Sequence, residues 1–259
     1  MDSPSPTVQI SVVIPAYKES ARLPRTLAGC REYLLKRGLT HEILVVDDGS
    51  PDDTASVAAS FEGVTVLRYV QNRGKGYAVR YGMLRAIGAR VLFMDADLAT
   101  PMEELSKLEA ALDAHPDAGV AFGSRPLRES TLEVRQPLFR ELSGRLFNKA
   151  VRIFATSGYA DTQCGFKLFT AEASREIFSR CKLDGFSFDV ELLFLALRLG
   201  FHPREVPVRW AHQEGAAAFA TRADYLRHGL RMLRDVTKIR WMHRAVSSVV
   251  SASAQKSAR

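Results

Sequence analysis

Cysteine is scarce: Cys30, Cys164 and Cys181 are the only three in 259 residues. They are odd in number and widely spaced, which excludes a disulfide framework or a zinc cluster and fits a reducing compartment. No apolar run approaches the roughly 18 residues that a bilayer-spanning helix needs. The opening Met1-Asp2-Ser3-Pro4-Ser5-Pro6 has neither a basic segment nor an apolar core, so no signal peptide is expected there. Internal repeats, Pro/Gly-rich linkers and a complete Walker pattern are also missing. A soluble or peripheral protein is expected, cytoplasmic or on the cytoplasmic face of a membrane. Acidic residues are outnumbered, 29 against 36 Lys and Arg, leaving a net charge of +7. That balance suits acidic partners: nucleic acid, phosphorylated small molecules or an anionic membrane. Nucleic acid fares poorly, because the basic residues are scattered and no groove-reading or base-stacking motif is present. The apolar share of 46% is ample for a core.

What is present alternates strand with helix. Val8 to Ile14 reads as a first strand, followed by a helix from Ala21 to Lys36. Glu42 to Val46 and Val64 to Tyr69 read as the second and third strands. Pro51-Asp52-Asp53-Thr54 opens a helix between them, in the manner of a capped N-terminus. Asn72-Arg73-Gly74-Lys75-Gly76 leads into a helix from Tyr77 to Ile87. The run Val91 to Met94 is a strand buried on both faces, followed by a helix from about Met102 to Ala114 and a strand from Ala118 to Phe122. This spacing predicts a parallel, doubly wound α/β sheet through about residue 125. Beyond it, Pro137 to Thr156 reads as a basic amphipathic helix and Gly165 to Thr170 as a short apolar segment. Phe188 to Leu199 is a strongly apolar helix, and Pro203 to Trp210 an edge strand. From Arg222 to about Val246 a helix carries Arg227, Arg231, Arg234 and Lys238 on one face, with Leu226, Leu230, Leu233 and Trp241 on another. The expected organisation is one domain over 1–246, with a disordered tail over 247–259.

The chemistry gathers at strand ends. Asp95 and Asp97 stand two apart after Met94, so they project together at the carboxyl edge of the sheet, where open α/β folds bind ligands. A metal–diphosphate site and a polar turn both satisfy that stretch. Tyr17 and Glu19 follow the first strand, and Asp47 and Asp48 the second. Three acidic loops along one edge need cations or donors to coexist. Lys75 between two glycines is either an anion contact at a helix N-terminus or part of an ordinary turn. Arg125, after the fifth strand, suits phosphate oxygens, although a lone Arg is more often a surface charge.

Pro15 to Glu19, Val45 to Ser50, Asn72 to Gly76 and Asp95-Ala96-Asp97 fall in the order and spacing of inverting family-two glycosyltransferases. That family has the GT-A fold, a Rossmann-like, mostly parallel sheet flanked by helices, here with a C-terminal helical elaboration. More narrowly, Asp161-Thr162-Gln163-Cys164-Gly165-Phe166-Lys167-Leu168-Phe169 and Phe188-Asp189-Val190-Glu191-Leu192-Leu193 resemble dolichyl-phosphate β-glucosyltransferases. The related dolichyl-phosphate mannose synthases share much of the pattern. The resemblance implies transfer of glucose from UDP-glucose to a polyprenyl phosphate, the alternatives being a GDP-mannose donor or a different acceptor. It implies a nucleotide-sugar half over about 8–125 and an acceptor half over about 126–215.

Residue roles follow as implications of the same resemblance. Pro15, Tyr17, Glu19 and Asp47 would hold the nucleobase and ribose, and Lys75 and Asp95 the nucleotide sugar. Asp97, with Asp95, would bind Mg²⁺ or Mn²⁺, which bridges the diphosphate. Arg125 and Arg140 would meet the acceptor phosphate, with Gln163 and Lys167 beside the sugar and acceptor. Asp189, Asp161 and Glu191 are the catalytic candidates, Asp189 oriented to the acceptor. A phosphate acceptor is already largely ionised near neutrality, its second pKa being about 6, so it needs no strong base. The chain departs from the family at Ala216-Ala217-Ala218, where a cationic pair is usual, leaving Arg222 and His212 as the nearest basic groups. It also lacks the hydrophobic anchors common in relatives. The helix over about 222–246 would then either lie on an anionic lipid surface or pack on the domain with a solvated basic face.

Overall fold

In the structure, a computed structural model, residues 8–127, 130, 132–134, 158–211 and 222–246 are described, with only the backbone of 132–134 and 222–228. The expected helix over 137–156, Arg140, the segment from His212 to Ala218, the side chains of Leu226 and Arg227, and the tail over 247–259 lie outside the described residues.

The β-branched run at the start forms strand β1, Ile10–Ala16, buried throughout and two residues longer at its carboxyl end than expected. Helix α1 follows over Leu23–Lys36, with Pro24 in its first turn, where a missing N–H costs nothing. Then come β2 (His41–Asp47), α2 (Thr54–Ala59), β3 (Val64–Arg68), α3 (Lys75–Met83) and β4 (Arg90–Met94). A short 3₁₀ turn, Met102–Glu104, precedes α4 (Leu105–Ala114), and β5 covers Val120–Ser124. After β6 (Leu132–Val134) the described chain continues with β7 (Phe166–Thr170), α5 (Ala171–Phe178) and α6 (Phe188–Leu199). Strands β8 (Arg204–Pro207) and β9 (Trp210–Ala211) and helix α7 (Arg222–Met242) follow. Helix α6 keeps its expected bounds, closed by Gly200 in the left-handed region at φ 93°.

Seven strands form one sheet in the order β3-β2-β1-β4-β7-β5-β8. Strands β3, β2, β1 and β4 are mutually parallel, and β8 runs parallel to β5 at the other edge. The mostly parallel sheet is as expected, with one antiparallel member. The apolar segment before Thr170 is a central strand, β7, antiparallel to both β4 and β5. Its register pairs Met94 with Phe166, so β7 begins where β4 ends. Because the chain winds from β1 to β3 on one side and returns with β4 on the other, the crevice between the carboxyl ends of β1 and β4 is the switch point.

Alternation along the strands builds two apolar layers. Val12, Ile14, Leu92, Met94, Phe166 and Leu168 pack with Leu27, Leu34, Leu105 and Leu108 of α1 and α4. Val13, Val46, Val91, Phe93 and Phe169 pack on the other face with Val79, Ile177, Phe188 and Leu192 of α3, α5 and α6. Among the described residues, the apolar contact of helix α7 with the body is a small cluster centred on Val236 and Ile239 against Val190 and Phe194 of α6. Leu230, Leu233 and Trp241, on the apolar face seen in the sequence, are 70%, 40% and 67% exposed.

Candidate active site

Three strand ends and the start of β7 bring the candidate residues together. At the end of β4, Asp95 donates its backbone N–H to the Gly165 carbonyl (3.0 Å), tying the carboxylate loop to the entry of β7. A Cβ on Gly165 would overlap the Asp95 carboxylate, so only glycine admits this approach. Lys75, first residue of α3, places Nζ 2.6 Å from Asp95 Oδ1. Burial opposes the Lys75 charge, but Asp95 and Asp189 outweigh it and hold the ammonium above its ordinary value. Asp97 accepts from the Ala99 N–H at 3.1 Å. Burial first, and the neighbouring Asp95 second, push its pKa up. The next residue, Leu98, is left-handed at φ 53°, a strained conformation for a branched side chain that the turn after Asp97 imposes.

The glycine-rich turn proves to be a packed turn rather than a phosphate cradle. Its Arg73 and Gly74 N–H groups donate to Asp48 at 2.7 and 2.9 Å, and the Asn72 side chain to the same carboxylate at 2.9 Å. Side chains on Gly74 (φ 102°) and Gly76 would strike the backbone of Asp184 and Leu183. The glycines therefore let α3 start against the Leu183–Gly185 loop, and Lys75 is the charged group the turn delivers.

At β1 and β2, Pro15 lies buried inside its strand, while Tyr17 is partly exposed. Glu19 is fixed by Arg22 Nε at 2.7 Å and has its pKa raised, chiefly by burial. Asp47 is fully buried; it accepts from the Ser50 N–H at 3.0 Å, and its other oxygen lies 3.1 Å from Arg68 Nε. It shapes its loop from within.

Two of the three catalytic candidates are already engaged by neighbouring groups. The Asp161 carboxylate is held by Arg125 through Nε (2.6 Å), Nη2 (2.9 Å) and the backbone N–H (3.2 Å), and by the Gln163 N–H (3.0 Å). Burial would raise its pKa, yet Arg125 and the amides bring it below the usual carboxylate range, leaving a poor base. Glu191 has no exposed surface; it accepts from the Lys182 and Leu183 N–H groups at 2.9 Å each and lies 2.7 Å from His243 Nε2. Glu191 thus joins α6, the Leu183 loop and the end of α7, bound by His243 and backbone amides. Asp189 is also buried, with Oδ1 2.6 Å from Lys167 Nζ; burial raises its pKa despite Lys167 and Lys75. Lys167, fully buried on β7, also donates to the Cys164 carbonyl.

Sequence reasoning missed Gly165, Glu205 and Trp210. Glu205 receives the Asp161 N–H at 2.6 Å and the Ser124 hydroxyl at 2.7 Å, fastening the Asp161 turn to β5. Trp210 lines a small pocket with Asp95, Leu98, Thr100 and Gly165, and its ring lies 5.4 Å from the Arg125 guanidinium. The pattern Cys164-Gly165-Phe166 before an apolar run was the available signal for Gly165.

Among the described residues no three His, Cys, Asp or Glu side chains cluster to hold a metal on their own. The donor set present, one half-buried carboxylate at Asp97 with Asp95 already opposed by Lys75, fits an ion that takes one or two protein oxygens and draws the rest from phosphates and water, as Mg²⁺ and Mn²⁺ do.

Fold comparison places this sheet among solved GT-A glycosyltransferases. Glucosyl-3-phosphoglycerate synthase from Mycobacterium tuberculosis, in complex with Mn²⁺ and UDP-glucose, matches at a TM-score of 0.65 and 22% identity, over 90% of this chain and 79% of that one. Mannosyl-3-phosphoglycerate synthase from Rubrobacter xylanophilus matches at 0.67 and 20% identity, over 90% of this chain and 74% of that one. The fold is therefore that of the GT-A glycosyltransferases. The glycosyl transferase family 2 model matches residues 11–178, and the chain belongs to that family. It is 40% identical over 267 residues to dolichyl-phosphate beta-glucosyltransferase of Drosophila melanogaster, covering 97% of this chain and 80% of the relative. It is 40% identical over 227 residues to the Homo sapiens protein of the same name, covering 82% and 70%.

Proposed function

We propose that the chain transfers glucose from UDP-glucose to a dolichyl-type polyprenyl phosphate, with inversion at the anomeric carbon. The observation that carries this is the meeting of Lys75, Asp95 and Asp97 with the Arg125–Asp161–Gly165 segment at one sheet edge, in a chain 40% identical to dolichyl-phosphate beta-glucosyltransferases. Asp97 would hold Mg²⁺ or Mn²⁺, whose charge stabilises the departing nucleoside diphosphate. Lys75, kept cationic by Asp95, adds a second positive group toward the donor. Arg125 is oriented by Asp161, and it presents a guanidinium toward the acceptor phosphate. Asp189 sits below, between Lys75 and Lys167. With an acceptor that is ionised beforehand, positioning and charge neutralisation carry the reaction.

In this reading residues 8–125 bind the donor, 126–215 the acceptor, and the whole of 1–246 is one domain. The lipid acceptor puts the chain at a membrane surface, on the cytoplasmic side, in keeping with three free, buried cysteines. Among the described residues no helix is long and apolar enough to cross a membrane, so α7 is assigned the peripheral contact. Offering the purified protein UDP-glucose, UDP-galactose and GDP-mannose in parallel, each with polyprenyl phosphate and Mn²⁺, tests the assignment. Lipid-linked glucose as the main product supports it, and preferential mannosyl transfer refutes the donor assignment.

A further inference from the structure

Helix α7 uses only one side to dock. Val236, Ile239 and His243 turn inward, all but fully buried. Leu230 and Trp241 lie eleven residues apart, close to three full turns, so they share the opposite side. Leu233 and, on α6, Leu197 add apolar surface nearby, at 40% and 38% exposure. Arg231, Arg234 and Lys238 flank this strip on one side and Arg240 and Arg244 on the other. The one acid among the described side chains of the helix, Asp235, turns to Ser187 Oγ at 3.3 Å.

Between α6 and α7, on the Arg240 flank, opens a cleft of about 400 Å³ lined by Phe194, Arg198, Arg240 and Arg244. One aromatic residue and three arginines line it, and among the described residues no carboxylate does. Arg198 Nη2 donates to the Val246 carbonyl at 2.9 Å, which holds that guanidinium in place, and Arg244 lies 5.4 Å from the Trp241 ring. Three like charges around one cleft repel one another, and an anion removes that repulsion. Forked guanidiniums match phosphate oxygens in particular. A free phosphate would explain the arginines and leave the exposed Trp241 and leucines unexplained. A tryptophan and leucines between rows of cations are the composition of a helix lying in a lipid interface.

We propose that the α6–α7 cleft of Arg198, Arg240 and Arg244 seats the phosphate of an anionic phospholipid, while Trp241, Leu230 and Leu233 enter the headgroup–acyl boundary beside it. This rests on the membrane-surface reading above and gives it a defined headgroup site. Flotation of the full chain with vesicles of phosphatidylcholine, with and without phosphatidylglycerol, tests it without donor or acceptor present. Wild type should float only with phosphatidylglycerol. The pair R240Q/R244Q should bind about twenty-five-fold more weakly, two cations at about fivefold each, and the charge-matched pair R231Q/R234Q fivefold or less. R198Q, on the other helix, should weaken binding as well, and Trp241→Ala should make it salt-sensitive. Equal losses from the two pairs would reduce the effect to diffuse charge and overturn the seat. Absence of wild-type flotation would overturn it outright, and release of the bound chain by inorganic phosphate would overturn the lipid as its occupant. Glucosyl transfer to detergent-dispersed acceptor is read separately, so a failure of the proposed reaction and a failure of this site are told apart.

Discussion

Lys75 Nζ lies 2.6 Å from Asp95 Oδ1, so the cation that opens α3 neutralises the carboxylate that ends β4. The contact joins two strand-end loops and leaves Asp97 as the carboxylate of the pair that, among the described residues, has no lysine at this distance. Lys75→Met should remove a positive group from the donor side and release the Asp95 charge beside Asp97. Transfer should fall by about 10²-fold or more, the size typical of losing one preorganised stabilising group. Steady-state rates at saturating acceptor check this; a loss below tenfold would place Lys75 outside the donor site.

Asp97 should limit stability where it serves activity. Its pKa is raised, by burial and then by Asp95, so the protonated form is favoured in the fold. A raised carboxyl contributes stability fully present below its unfolded pKa, about 3.9, and lost as pH rises through the folded value. Asp97→Asn should therefore be inactive yet melt at a temperature equal to or about 2–4 °C above metal-free wild type at neutral pH. The difference should close on acidification toward the ordinary Asp range. Mn²⁺ with UDP should raise the wild-type melting point and leave the variant's nearly unchanged.

Gly165→Ala puts a methyl group into the Asp95 carboxylate. Overpacking of this kind costs about 1–3 kcal/mol, and the displaced Asp95 should also lose its pairing with Lys75. Gly185→Ala, where a Cβ meets nothing within 4 Å, is the control and should change neither melting temperature nor rate. Urea denaturation alongside transfer assays separates the two.

Glu191 distinguishes a structural clamp from a catalytic carboxylate. Glu191→Gln keeps the shape but weakens two amide hydrogen bonds and the His243 contact, at a cost of about 1–3 kcal/mol. The folded fraction should keep kcat within about threefold of wild type, far from the 10²–10⁴-fold that a general base contributes. A hundredfold loss of kcat in a folded variant would restore Glu191 to the chemistry.

The donor edge was legible because strand, turn and carboxylate are contiguous: Val91 to Asp97 carries its own periodicity, and local sequence sets where Asp95 and Asp97 stand. Helix α6 was legible for the same reason. The direction of β7 was not, since a five-residue segment with three apolar side chains reads alike whichever way it runs, and pairing with Val91 and Val120 through Phe169 decides it. The partners of Asp161 and Glu191 were hidden likewise. Arg125 is 36 residues from Asp161 and His243 is 52 from Glu191, distances over which spacing carries no information. On α7, two apolar stripes competed in the sequence. The one built of Val236 and Ile239 won burial because it meets Val190 and Phe194, leaving the larger Leu230–Trp241 stripe outside.

The most direct measurement of the central claim is transfer of radiolabelled glucose from UDP-glucose to polyprenyl phosphate, followed with and without Mn²⁺ or Mg²⁺ for wild type and Asp97→Asn. The account predicts a β-linked glucosyl lipid that forms only with metal and only with Asp97 intact. Metal-independent formation of that lipid, or undiminished turnover by Asp97→Asn, would contradict it.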